Sequence, residues 1–145
     1  MALGGLIFAG AATEIMVMAG HQLFRNFSTA PSFMAVSALK PNEFWILFAW
    51  APFFVLNILG EELFWRGYIL PQQEPAFGKL AWAVHGSLWT AFHFAFGWQL
   101  MFVLFPFLFG LSYVAQLRSS TWVSILIHGV LNGSGFLAVA LGVLK

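Results

Sequence analysis

The sequence predicts an all-α integral membrane protein, a single transmembrane domain over residues 1–145 built as a bundle of about five transmembrane helices. Three observations carry this expectation. Of the residues, 61% are hydrophobic and only 8% charged, whereas a soluble domain has about a quarter of its residues charged. Mean hydropathy is +0.86. The apolar residues also fall in runs of about 20, the length that crosses a bilayer core, separated by short stretches rich in Pro, Gly, Asn and Ser. A net charge of +1 leaves no broad basic surface, so nucleic acid is not a partner. The absence of Cys removes disulfides, thiolate nucleophiles, zinc–thiolate sites and iron–sulfur clusters, and any metal would rest on His and carboxylate ligands.

The first span covers Ala2 to Phe24, a Gly/Ala-rich run with Glu14 near its middle and His21 beyond it. It has no basic leader, and Glu14 interrupts the apolar run that a signal peptide would need, so it reads as a retained span. Arg25 to Pro41 holds Asn26, Ser28, Thr29, Pro31 and Ser32 and reads as a loop with room for a short interfacial helix. The second span starts at Asn42 or Glu43, a capping residue with an acidic first turn, and runs through Pro52 and Asn57 into Gly60-Glu61-Glu62-Leu63-Phe64-Trp65-Arg66. Pro52 predicts a kink. Pro71-Gln72-Gln73-Glu74-Pro75 predicts the end of the helix, and Gly78-Lys79 opens the third span. That span, Leu80 to about Gly97, sets His85, Trp89 and His93 one turn apart on one face. The fourth, Leu100 to Leu117, reads as scaffold closed by Arg118. Ser119-Ser120-Thr121 caps the fifth, Trp122 to Leu144, in which His128 and Asn132 stand at i,i+4 and Gly133-Ser134-Gly135 permits close helix contact. Five spans put Arg25, Lys40 and Lys145 at one membrane face and Lys79, Arg118 and the N-terminus at the other, so the positive-inside rule assigns no orientation.

An ionisable residue within a membrane span is a hypothesis about function. If the second span continues as helix, Glu62 and Arg66 pair at i,i+4, while Glu61, turned about 100° from Glu62, faces something else. An ion pair that locks the helix end accounts for Glu62 and Arg66 as well as a chemical role does; Glu61 has no such partner and reads as functional. Counted from Pro71 and Thr121 at ~1.5 Å per residue, Glu61 and His128 both lie roughly 10–14 Å inside the same face, with His93 deeper. A carboxylate and two imidazoles at such depths can hold a water, deprotonate it and return the proton to a leaving amine. Asn132 can donate to a developing oxyanion. His21 and His85 read as hydrogen-bonded packing residues, and Glu14 as a bundle contact.

Glu61-Glu62-x-x-x-Arg66, then His93, then His128-x-x-x-Asn132, in this order and on three separate spans, resembles the motif series of the CPBP/Abi family. That family comprises the CAAX prenyl endopeptidases of the Ras-converting type and bacterial relatives linked to bacteriocin self-immunity. The resemblance covers about residues 43–144. It implies an all-helical intramembrane protease core in a multi-pass protein of the bacterial plasma membrane, surrounded by lipid. The expected activity is an intramembrane endopeptidase cutting a membrane-associated peptide or protein, prenylated or membrane-inserted. By the same resemblance Glu61 is the water-activating base, His93 its partner, and His128 with Asn132 the oxyanion-stabilising pair, with Glu62 and Arg66 completing the site. Two features depart from the family: Trp89 stands where Phe is usual, and the chain lacks N-terminal spans that members often carry.

The resemblance leaves a metal open. A metal would take Glu61, His93 and His128, a set that zinc accepts; the i,i+4 neighbour of His128 is Asn132, a poor zinc ligand, so the spacing favours no cofactor. Two other function classes stand beside the protease: a non-catalytic immunity or scaffold protein of the same fold, and a small proton or ion conduit through Glu14, Glu61 and the histidines. The intact motif residues favour the protease over the first, and their clustering toward one face favours it over the second.

Overall fold

A computed structural model describes residues 2–27 and 37–143, and every element among them is helical. α1 spans Ala2–Leu23, α2 Trp45–Glu62, α3 Leu70–Phe77, α4 Ala81–Phe92, α5 Trp98–Arg118 and α6 Thr121–Ala140. Between α2 and α3 the chain continues as a seven-residue π-helix, Leu63–Ile69, so that α2, this segment and α3 form one rod. Short 3₁₀ turns lie at Pro41–Glu43, Gly78–Leu80 and His93–Phe96. The predicted all-α membrane class holds: three helical runs among the described residues, Trp45–Phe96, Trp98–Arg118 and Thr121–Ala140, are long and apolar enough to cross a membrane. Large apolar side chains face outward, Phe48 at 84% and Phe53 at 72% exposure. Such a surface is a liability in water and the expected lining against acyl chains. The predicted interfacial helix falls largely on residues 28–36, and the expected end of the last span on Leu144; both lie outside the described residues.

One boundary is corrected. The break expected at Pro71 to Pro75 does not occur, and the helix runs on through α3 to Phe77. Leu70 N–H bonds Trp65 O in the π register, and Pro71 follows in the first turn of α3, where its missing N–H falls at the change of register. The helix ends instead at Gly78, whose φ of 53° and ψ of −128° suit glycine alone.

The chain then doubles back. In a straight helix Arg66 and Trp89 would stand roughly 35 Å apart, yet the Arg66 guanidinium carbon lies 3.3 Å from the Trp89 ring centroid. The rod and α4 are therefore antiparallel. Gln116 of α5 braces the turn, its Nε2 donating to Gly78 O and its Oε1 accepting from Trp82 N–H, both at 2.8 Å. α5 ends on Ser119 in the left-handed region (φ 46°), with the N–H groups of Ser119 and Ser120 returning to Gln116 O and Ala115 O. At the opposite end Leu39 N–H bonds Ala140 O at 2.8 Å. There Phe24 and Phe27 pack edge-on against Trp98 and Phe102, which seats α1 on α5. Lys79 and Arg118 thus mark one end of the bundle, and Arg25 and Lys40 the other.

The buried core is formed by Trp65, Trp89, Phe107, Leu108, Leu111 and Ile127, where the π-helix, α4, α5 and α6 meet. Close approach depends on small residues: a Cβ on Gly133 would stand 3.1 Å from Phe54, which is how α6 comes near enough to α2 to share polar contacts with it.

Candidate active site

Glu62 is fully buried at the end of α2. Its Oε1 accepts a hydrogen bond from Arg66 Nη1 at 2.9 Å and another from His128 Nδ1 at 2.7 Å. Arg66, itself buried in the π-helix, sets its guanidinium over the Trp89 ring. A buried carboxylate is tolerable only with partners of this kind, because desolvation penalises each charge separately. On α6, Asn132 Nδ2 approaches His128 Nε2 at 3.0 Å. With the amide nitrogen so placed, His128 donates through Nδ1–H to Glu62 and accepts at Nε2 from Asn132.

Glu61 turns away from this chain. It is half-buried; its Oε1 accepts from Asn57 Nδ2, one turn earlier, at 3.0 Å, and its Oε2 has no partner among the described residues. His93 stands where α4 gives way to a 3₁₀ turn, and its Nδ1–H donates to Trp89 O at 2.8 Å. Nε2 is then the nitrogen with the free lone pair. The ring of His93 lies edge-on to the Trp89 indole with centroids 5.5 Å apart, and that of His128 does the same at 5.6 Å. Trp89 is wholly buried and forms a common floor under Arg66, His93 and His128.

Of the residues expected in the site, Glu62, Arg66, His128 and Asn132 are joined in one hydrogen-bonded chain, and His93 is brought to it by Trp89. Glu61 shares no hydrogen bond with His93 or His128, so the imidazole of α6 is anchored on the second glutamate rather than the first. The ligand set Glu61, His93 and His128 does not gather: among the described residues no three His or Glu side chains come together as metal ligands. Both ring nitrogens of His128 are already engaged. As arranged, these donors do not fit zinc.

Asn57 was missed from the sequence although its i,i+4 spacing to Glu61 is the same signal that pairs Glu62 with Arg66. Trp89 departs from the Phe usual in the motif, and nothing local marks it as a floor. His85 is fully buried, bonded through Nδ1 to Gln73 Oε1 at 3.0 Å and packed edge-on against Trp65. His21 packs against Phe27, and Glu14 is exposed on α1; neither is hydrogen-bonded to the site.

In comparison with known proteins, the family model described as type II CAAX prenyl endopeptidase, Rce1-like, matches residues 43–134. The match begins at the turn before α2 and ends just beyond Asn132, so it contains every residue of the chain of contacts around Glu62. No curated protein and no solved structure matches the sequence.

Proposed function

The chain belongs to the Rce1-like family of type II CAAX prenyl endopeptidases, and from that premise we propose that it is an intramembrane endopeptidase acting on prenylated, membrane-associated peptides. The membrane is that of the bacterial relatives, the plasma membrane. The observation that supports the reading best is the Trp89 floor: one buried indole bears Arg66, His93 and His128, and so draws a guanidinium and two imidazoles from three helical segments to one place inside an apolar bundle.

In this reading Glu61, oriented by Asn57, takes a proton from water through Oε2, a buried oxygen with no partner among the described residues. The resulting hydroxide adds to the scissile carbonyl carbon. Asn132 Nδ2 carries two N–H groups: one is held by His128 Nε2, and the other donates to the oxyanion that forms. Glu62, bonded to Nδ1, fixes the orientation of the His128 ring and so of Asn132, as a carboxylate behind a catalytic imidazole does. Arg66 holds Glu62 in place from the Trp89 face. The proton taken from water passes by way of His93 Nε2 to the leaving amine as the C–N bond breaks.

The test is cleavage of a farnesylated CAAX peptide, carrying a fluorophore and quencher across the scissile bond, by purified protein in lipid vesicles. Glu61→Gln keeps the shape of the side chain but cannot accept the proton, and turnover should fall by about 10²–10⁴-fold with the fold intact. A Gln variant as active as the wild type would remove Glu61 from the role of base. A folded wild-type protein that cleaves no such peptide would sink the assignment of substrate and activity together.

A further inference from the structure

Five buried side chains between the rod, α4 and α6 carry polar atoms with no partner among the described residues: Glu62 Oε2, Arg66 Nε and Nη2, His85 Nε2, Trp89 Nε1 and Ser124 Oγ. Buried polar atoms in proteins are almost always bonded, to protein or to ordered water. These atoms are not scattered. Ser124 precedes His128 by one turn on α6, His85 precedes Trp89 by one turn on α4, and Trp89 lies under Arg66, one turn along the rod from Glu62. Together they form a polar seam through an otherwise apolar core.

A cavity of about 140 Å³ reaches that seam from the end of the bundle. It lies between the π-helix, α3 and the α5–α6 turn, and its lining includes Arg66, Gly67, Glu74, Ser119, Ser120 and Thr121. The volume is that of several waters, at ~30 Å³ each. Arg66, Glu74 and the three hydroxyls form the polar part of a wall that Leu70, Pro71 and Ala115 complete with apolar surface. Thr121, on the cavity wall, stands one turn before Ser124, and Ser124 one turn before His128.

We propose that this cavity is the mouth of a solvent path that runs past Arg66 and Ser124 to the Glu62–His128 pair, supplying water to the site from the membrane face of the α5–α6 turn. Water along this line meets Thr121 on the cavity wall and then the buried groups that have no partner among the described residues, the Arg66 Nε and Nη2 N–H groups, Ser124 Oγ and Glu62 Oε2. The use of that water for hydrolysis rests on the protease reading; the path itself does not.

Because the sequence contains no Cys, each Ser→Cys substitution creates a unique thiol. The experiment compares Ser124→Cys with Ser112→Cys and Ser120→Cys in the full chain, using a small cationic methanethiosulfonate. Ser112 is as buried as Ser124, but its hydroxyl donates to Leu108 O at 2.7 Å. The reagent needs thiolate, which forms where water reaches, so Ser120→Cys at the mouth should react fast and Ser124→Cys at least about tenfold faster than Ser112→Cys. Gly67→Leu places a side chain in the cavity, and a Cβ there meets nothing nearer than 3.7 Å. It should slow Ser124→Cys. Equal rates at Ser124 and Ser112, or a Ser124 rate that ignores Gly67→Leu, would overturn the path. A check without any buried substitution is deuterium uptake at C2 of the His128 ring, which should fall several-fold in Gly67→Leu; unchanged uptake also counts against the path. Both measurements are made without substrate, so labelling as expected with no proteolysis refutes the protease reading and leaves the path standing.

Discussion

Replacing Glu62 by Gln removes the carboxylate that holds both Arg66 and His128. The Gln carbonyl can still accept from His128 Nδ1–H, so the loss falls on Arg66, a buried cation left with Trp89 as its main counterpart. Removing one partner of a buried ion pair costs about 3–5 kcal/mol, and the surviving contact to the indole places this case near the lower bound. At about 2–4 °C per kcal/mol for a chain of this size, the Tm should fall by roughly 6–12 °C. Glu61→Gln is the control. It disturbs one hydrogen bond of a half-buried carboxylate, worth about 1 kcal/mol, and should shift Tm by only a few degrees. The assay is thermal unfolding in one fixed detergent, followed by tryptophan fluorescence. It includes Glu62→Gln combined with Arg66→Met, which removes the stranded cation and should recover most of the loss, because apolar replacement of a whole buried pair is often neutral. Equal losses for the two glutamates, or a double variant no better than Glu62→Gln alone, would refute the assignment of Glu62 as the anchor.

Three further outcomes can be measured. Trp89→Phe should keep the fold at a cost of about 1–2 kcal/mol, since phenylalanine is a weaker seat for a guanidinium, whereas Trp89→Ala should cost about 3–5 kcal/mol; equal shifts in denaturation midpoint would deny the indole its part. Gly78→Ala forces a φ of 53° on a residue with a side chain and should lower stability by about 1–3 kcal/mol, and an unchanged Tm would show that the turn relaxes freely. Peptidase activity should survive exhaustive chelation, because Glu61, His93 and His128 do not gather as ligands; loss of activity that zinc restores would contradict this.

What the sequence by itself determined was everything that depends on composition or on spacing within one helix. The membrane class followed from the apolar excess. The Glu62–Arg66 pair was read from i,i+4 spacing, and the Asn57–Glu61 bond and the His128–Asn132 contact follow the same spacing. What only the tertiary structure decided was how the helices are turned about their axes. These helices are apolar on nearly every side, so no polar stripe tells which way Trp89 or Glu62 points. His128 meets Glu62 across 66 residues of sequence, and Gln73 meets His85 only because the chain reverses at Gly78. The π-helix also lay beyond local rules: it carries Arg66 onto Trp89 and lets the rod pass Pro71, where proline alone would have ended it. Packing against neighbours set those rotations, and with them the choice of Glu62 over Glu61 as the partner of His128.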